Sequence, residues 1–282
     1  MFDTSHPEVR SAVDRALDED IGTGDITTEL TVPANLRASG RFLAKQDFVL
    51  AGIELLPLIY AKQGGADLQL LRNSGDLISS GDTLATVKAS ARTLLTCERV
   101  SLNFIQRLSG VATLARQHAE AVAGTNTRIL DTRKTTPGLR TLEKMAAVAG
   151  GATNHRKGLY DAVLIKNNHI TAAGGVRAAL ERVGSFTGPI EIEVRTRAEL
   201  NEALDAGAKH LLLDNLSPSE AAEWVAYIAG RATVELSGGI HLGNIRQYAH
   251  AGANFISCGA ITHSAVAVDI SFRLELDSSD AA

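Results

Sequence analysis

The sequence predicts an α/β chain in two parts, a small α/β domain followed by an incomplete, open TIM-like α/β barrel. Three observations carry this. From about Asp161 onward, short apolar β-rich runs alternate with helical segments at the spacing that βα units require. The ends of those runs carry Arg, Lys, Glu, Asp and Gly-rich turns, residue types that build sites rather than cores. The earlier part of the chain instead holds short strand candidates joined by tight turns.

The elements follow in chain order. Met1–Arg10 lacks a basic start and an apolar core, so no secretory signal is expected. Arg41–Leu50, Asp67–Leu71 and Thr83–Val87 read as strands, with turns at Asn73-Ser-Gly75-Asp76 and Ser80-Gly81-Asp82. The phrase from Gly75 to Val87 resembles the hammerhead turn of biotinyl and lipoyl-type domains. It has no lysine at its tip, so it is architecture only.

A helix is expected from about Thr93 to Ala123. Leu94, Cys97, Ser101, Phe104, Ile105, Leu108, Val111, Ala112 and Ala115 share one face, and Arg99, Asn103, Gln106 and Arg116 the opposite arc. Gly110 marks a kink or a close approach within it. This places the first domain at 1–108 and the barrel at 109–268. The alternating segment Asp269–Leu276 rejoins the first domain as part of 269–282, with Asp277–Ala282 frayed.

The barrel strands are expected at Arg128–Asp131, Asp161–Lys166, Pro189–Val194, His210–Asn215, Thr233–Ser237 and Phe255–Gly259. They are fewer than the eight of a closed barrel. Ser217-Pro218-Ser-Glu220 is a capping box, and Gly207, Gly230 and Gly252 fall where helices should stop. No GxGxxG follows the first of these strands, which removes the best evidence for a dinucleotide fold.

Composition narrows the function classes. The net charge of −4 excludes a global basic field for nucleic acid or anionic membrane. Two isolated cysteines, Cys97 and Cys258, argue against a disulfide framework or a zinc site and for a reducing cytoplasm. Gln247–Val268 lacks Lys, Arg, Asp and Glu, but its polar and Gly residues read as a helix–loop–strand passage in a soluble protein.

Against that acidic background, Arg133, Lys134, His155, Arg156, Lys166 and His169 crowd around predicted strand ends. A multiply anionic small molecule needs such fixed donors, because each carboxylate or phosphate oxygen requires its own partner. Further strand ends carry Glu193, Asp214, Ser237-Gly238-Gly239 and Ser257-Cys258-Gly259, the last two suited to phosphate through backbone N–H groups.

The chain resembles the quinolinate phosphoribosyltransferase family, carboxylating nicotinate-nucleotide pyrophosphorylases. The phrases are Glu19–Thr28, Glu98–Asn103 with Arg107–Gly110, Asp131–Gly138, Asn154-His-Arg156, Leu164–His169, Glu191–Val194, Leu212–Asn215 and Glu235–Ile240, in order along nearly the whole chain. The resemblance implies an N-terminal α/β sandwich beside an open α/β barrel. It implies a homodimer, with Arg99 reaching the neighbouring site. The implied reaction joins quinolinate to phosphoribosyl pyrophosphate and gives nicotinate mononucleotide, pyrophosphate and carbon dioxide.

The resemblance assigns Arg99, Arg133 and Arg156, with His155 and Lys166, to the two ring carboxylates. Lys134, Lys166, Glu193 and Asp214 become the catalytic set, and Thr135 joins the substrate-binding residues. Magnesium is implied, held mainly by substrate phosphates, with Glu193 and Asp214 as candidate ligands. No dedicated general base is assigned, because a quaternised ring nitrogen stabilises the carbanion left by decarboxylation. Ala152-Thr153 and Asn167 depart from the family pattern outside the charged set.

The rival readings are a Schiff-base aldolase on Lys166, a phosphoribosyltransferase for another ring acid, and a non-catalytic homologue of the molybdenum-operon type. His6, His118, His210, His241, His250 and His263 are expected to be ordinary, and His169 is left open. Glu143 and Lys144 are read as no more than polar positions on the helix after Pro137.

Overall fold

The computed structural model describes residues 2–276; Asp277–Ala282, expected to fray, lies outside them. The chain divides into two compact units. The first comprises 1–116, 135–151 and 264–282, and the second 117–134 and 152–263.

The first unit holds a four-stranded antiparallel sheet of β1 (Arg37–Ala44), β3 (Asp67–Leu70), β5 (Thr83–Ser90) and β12 (Ile270–Leu276), in the order β12-β1-β5-β3. A small ribbon pairs β2 (Phe48–Val49) with β4 (Leu77–Ile78). The single strand expected over Arg41–Leu50 is therefore broken. The main chain turns after Ala44, whose N–H reaches the Asp82 carbonyl, and Lys45 donates to Asp269. Both predicted turns form: Gly75 and Gly81 sit at φ 101° and 95°, conformations that glycine adopts without a Cβ penalty.

Three shorter helices of this unit are α1 (Pro7–Ile21), α2 (Ile26–Thr31) and α3 (Leu56–Ala61). The long helix α4 (Ala91–Ala121) buries the apolar face read from its periodicity, from Leu94 through Ala115. Gly110 is a close approach and the helix runs on through it: a Cβ there would lie 2.1 Å from the Val266 carbonyl oxygen. On β1, Gly40 likewise leaves room for the Phe272 ring, which packs 4.9 Å from Phe42. The helix after Pro137 is α5 (Arg140–Ala149).

The second unit is built on a six-stranded parallel sheet. Its strands are β6 (Arg128–Leu130), β7 (Val163–Ile165), β8 (Ile190–Val194), β9 (His210–Asp214), β10 (Thr233–Ser237) and β11 (Phe255–Ser257), in the order β6-β11-β10-β9-β8-β7. The edge of β6 takes one further partner, a single parallel bridge from Leu130 to Thr153.

Between the strands run α6 (Asn167–Ala173), α7 (Val176–Val183), α8 (Arg197–Asp205), α9 (Pro218–Ile228), α10 (Ile245–Ala249) and α11 (Ala260–His263). The capping box at Ser217 and Glu220 forms as read. Ile192, Leu211, Leu213, Val234, Leu236 and Ile256 make the buried apolar layer of this unit. Among the described residues no helix is long and apolar enough to cross a membrane.

Candidate active site

Side chains in register on a parallel sheet share a face, and successive residues alternate between faces. Glu191 pairs with His210 and His210 with Thr233. Glu193 pairs with Leu212, Leu212 with Glu235, and Glu235 with Phe255 beside Arg128. One face of the sheet therefore carries Glu191, Glu193, His210, Asp214, Thr233, Glu235 and Ser237. The other carries the buried apolar layer.

The strand C-terminal ends hold most of the residues read from sequence. Lys134 follows β6, and its side chain lies over Gly259 after β11: a Cβ on Gly259 would sit 2.8 Å from Lys134 Cδ. Thr262 Oγ1 fixes the same segment by donating to the Lys134 carbonyl at 2.7 Å. At β7 the strand stops at Ile165, and Lys166 caps α6 as an exposed side chain. His169 gains a role here, since its Nδ1 accepts the Lys166 N–H at 2.9 Å.

Glu193 lies buried near the end of β8 and Asp214 ends β9, where Asn215 Nδ2 donates to it at 2.6 Å. Asn215 holds φ 57° and donates its N–H to the Ser237 carbonyl, tying the β9 and β10 ends together. Gly238 is required there, because a Cβ would meet Asn215 Oδ1 at 2.3 Å. Gly239 follows at φ 62°, and Ser257 is buried at the end of β11. Cys258 follows it within the same triplet. Its N–H donates to the Leu130 carbonyl, and burial pushes its thiol up to about 12.

His155 and Arg156 arrive from the segment bridged to β6. The His155 N–H donates to Asp131 Oδ1 at 2.8 Å, and its Nδ1 accepts the Arg156 N–H at 2.7 Å. Its Nε2 stands 3.3 Å from Glu191 and 3.4 Å from Glu235. Burial pushes the His155 imidazole down, but hydrogen bonds to the two carboxylates outweigh it and leave the ring at about 9. Burial raises Glu191, and the Glu235 charge adds to it, so the cluster holds an extra proton through neutral pH.

The Arg156 guanidinium is held below its ordinary value, first by burial and then by the charge of Arg133. Asp161 and Glu191 act in the opposite direction, and guanidiniums that share one region suit a ligand with more than one negative group. The cluster also lines a cavity of 390 Å³. That cavity opens among the first residues of the strands, including Arg128, Val163, His210 and Phe255. It takes in His155 and Arg156 but not Lys134, Lys166, Glu193 or Asp214. His155, Glu191 and Glu235 have ligand atoms within 4.8 Å of one another. Their mutual hydrogen bonds account for that spacing.

Two predicted residues belong to the first unit. Arg99 is exposed on α4, and Thr135 accepts from Arg140 Nε at 3.1 Å. The polar-position reading of Glu143 and Lys144 is overturned, since both are buried. Glu143 accepts from Arg107 Nε and Nη2 at 3.1 and 2.8 Å and from the Thr136 N–H and hydroxyl at 3.0 and 2.7 Å. A fully buried carboxylate persists only with such a set of donors. Helical periodicity did not reveal it, and neither Asp131 nor the Glu191–Glu235 pair was singled out for the site from sequence.

The model of the quinolinate phosphoribosyl transferase N-terminal domain matches residues 25–109, and that of its C-terminal domain matches 111–273. A tobacco (Nicotiana tabacum) protein named quinolinate phosphoribosyltransferase [decarboxylating] 1b is 37% identical over 97% of this chain and 85% of its own. A Bacillus subtilis protein named probable nicotinate-nucleotide pyrophosphorylase [carboxylating] is 36% identical, covering 97% and 96%. The crystal structure of NadC from Streptococcus pyogenes superposes with a TM-score of 0.93 at 34% identity, over 99% of both chains.

Proposed function

This chain belongs to the quinolinate phosphoribosyltransferase family, and we propose that it joins quinolinate to phosphoribosyl pyrophosphate with loss of carbon dioxide. The ring nitrogen attacks the ribose C1, pyrophosphate leaves with the bonding pair, and the adjacent carboxylate departs as carbon dioxide. The electron pair left on the ring carbon is stabilised by the cationic nitrogen and takes up a proton. The product is nicotinate mononucleotide. Among structural observations, His155 and Arg156 lining one cavity, with the charge of Arg133 felt at Arg156, support this reading best, since a dicarboxylate needs more than one fixed cationic donor.

In this reading Arg133, Arg156 and His155 meet the ring acid, and Thr135 is a further substrate-binding residue. Lys134 and Lys166 neutralise phosphate and pyrophosphate oxygens. Glu193 and Asp214 face the ribose, where negative charge favours a cationic, oxocarbenium-like state. The turn at Ser237-Gly238-Gly239 and the residues Ser257 and Gly259 receive the 5′-phosphate.

Magnesium suits a donor set of carboxylate and phosphate oxygens, with Glu193 and Asp214 as its protein ligands. When bound it offsets charge on the leaving pyrophosphate. Exposed Arg99 acts across a homodimer, completing the neighbouring site. Two buried free thiols, Cys97 and Cys258, suit a reducing cytoplasm.

The test is formation of nicotinate mononucleotide from quinolinate, phosphoribosyl pyrophosphate and magnesium, with nicotinate as the parallel substrate. Turnover with quinolinate and release of carbon dioxide is expected. Turnover with nicotinate would move the assignment to another ring acid, and activity with neither would favour a non-catalytic homologue. Mixing inactive Arg99→Ala and Lys166→Ala subunits should restore part of the activity; no recovery after demonstrated exchange removes the shared site.

A further inference from the structure

The segment that carries His155 and Arg156 has one bridge to the sheet, Leu130 to Thr153, and no helix or strand of its own. Secondary structure therefore does not fix the His155 ring. Side-chain hydrogen bonds do. The main chain is held by Asp131, and the ring spans from the Arg156 N–H on one side to Glu191 and Glu235 on the other. In the neutral ring Nδ1 accepts that N–H, and the ring proton sits on Nε2 facing the two carboxylates.

Both carboxylates stand on rigid elements either side of β9, Glu191 in β8 and Glu235 in β10. Glu235 is 3% exposed, and its Oε1 has no hydrogen-bond partner among the described residues. A buried carboxylate with an unsatisfied oxygen is costly to the fold. The turn of the chain alone would not need it. The Arg156 guanidinium is tied at its other end, Nη1 donating to the Ala162 carbonyl at 3.1 Å.

We propose that Glu191 and Glu235 are positioning residues for the ring acid. They clamp His155, which holds the Arg156 main chain and so sets the guanidinium opposite Arg133 for a substrate carboxylate. The inference rests on the proposed reaction for its substrate and on the geometry alone for the clamp. It separates two kinds of acid on one sheet face: Glu193 and Asp214 toward the sugar, Glu191 and Glu235 behind the arginine.

The clamp predicts an effect on one substrate only. Glu235→Ala should raise the quinolinate KM roughly tenfold, with kcat and the phosphoribosyl pyrophosphate KM within about twofold. Glu235→Gln, which keeps an acceptor oxygen for Nε2–H, should recover most of that loss, and Glu191→Gln should behave alike. Equal rises in both KM values, or an unchanged quinolinate KM in a folded variant, overturn the proposal.

Ring-nitrogen NMR of the unliganded wild-type protein decides the same point without turnover. Above pH 9, where the ring is neutral, a protonated Nε2 and an acceptor Nδ1 at His155 are expected, and a neutral ring with its proton on Nδ1 contradicts the clamp. If the wild type fails to use quinolinate, the reaction falls while the NMR result still settles the clamp.

Discussion

The antiparallel sheet of the first unit and the parallel sheet of the second use the same alternation for different ends. Along β1 the buried positions are Ala38, Gly40, Phe42 and Ala44, small or aromatic groups that pack a core, while Arg37 and Arg41 face out. In the parallel sheet the apolar residues pack one face, and the other presents Glu191, Glu193, Asp214 and Glu235. Parallel strands covered on both sides ordinarily read as continuous apolar runs. Carboxylates on a covered face cost energy unless a partner or ligand uses them. The departure from an apolar run is thus the mark of the site, and its absence from β1 is the mark of a scaffold.

The largest expected effect falls on the polar face. Replacing Arg133 and Arg156 together with Ala should lower kcat/KM for quinolinate by about 10³-fold or more, on the order of 4 kcal/mol, with little change in melting. Steady-state kinetics beside thermal unfolding checks it. A comparable fall in folding stability would turn the arginines into scaffold and erase the contrast.

The complementary change is Phe42→Ala in the antiparallel sheet. It removes a fully buried ring packed on Phe272 and should cost about 3–5 kcal/mol in urea unfolding. Activity per folded molecule should be unchanged. A selective loss of kcat in the folded fraction would contradict the scaffold role of that sheet.

A smaller effect sharpens the account of the buried cluster. His155 is raised in the folded protein from 6.5 to about 9, so its contribution to stability is complete below pH 6.5 and is lost as pH rises through 9. The fall is at most roughly 3 kcal/mol, since the charges are shared across coupled groups. Urea unfolding across that range should show the decline in wild type and a flatter profile in Glu235→Gln. A wild-type profile that is flat would remove the extra proton from the cluster.

Much of this was legible from residues. The strand at Thr233–Ser237 falls where its pattern put it, and the face of α4 buries as its period required. The charges at strand ends were visible because each comes at or just after a short apolar run. Glu143 was not, since a helix of mixed polarity does not show which polar group meets Arg107 from another helix. The clamp was hidden for a similar reason. Glu191 and Glu193 lie two apart and so share a face, but their partner His155 comes from a segment with no strand pattern, bridged at one residue. The break after Ala44 depended on Asp82 and Asp269, both distant in sequence.

Two neighbours in one strand test the central claim most directly, because Ile192 and Glu193 differ only in the face they occupy. Stability and quinolinate turnover should be measured for Ile192→Ala and Glu193→Gln in parallel. The account predicts that Ile192→Ala loses about 2–5 kcal/mol of stability and keeps its activity per folded molecule. It predicts that Glu193→Gln melts near wild type and loses about a hundredfold in kcat. The reverse pattern, or equal losses in both properties for both variants, would contradict the division of the sheet into a packing face and a reacting face.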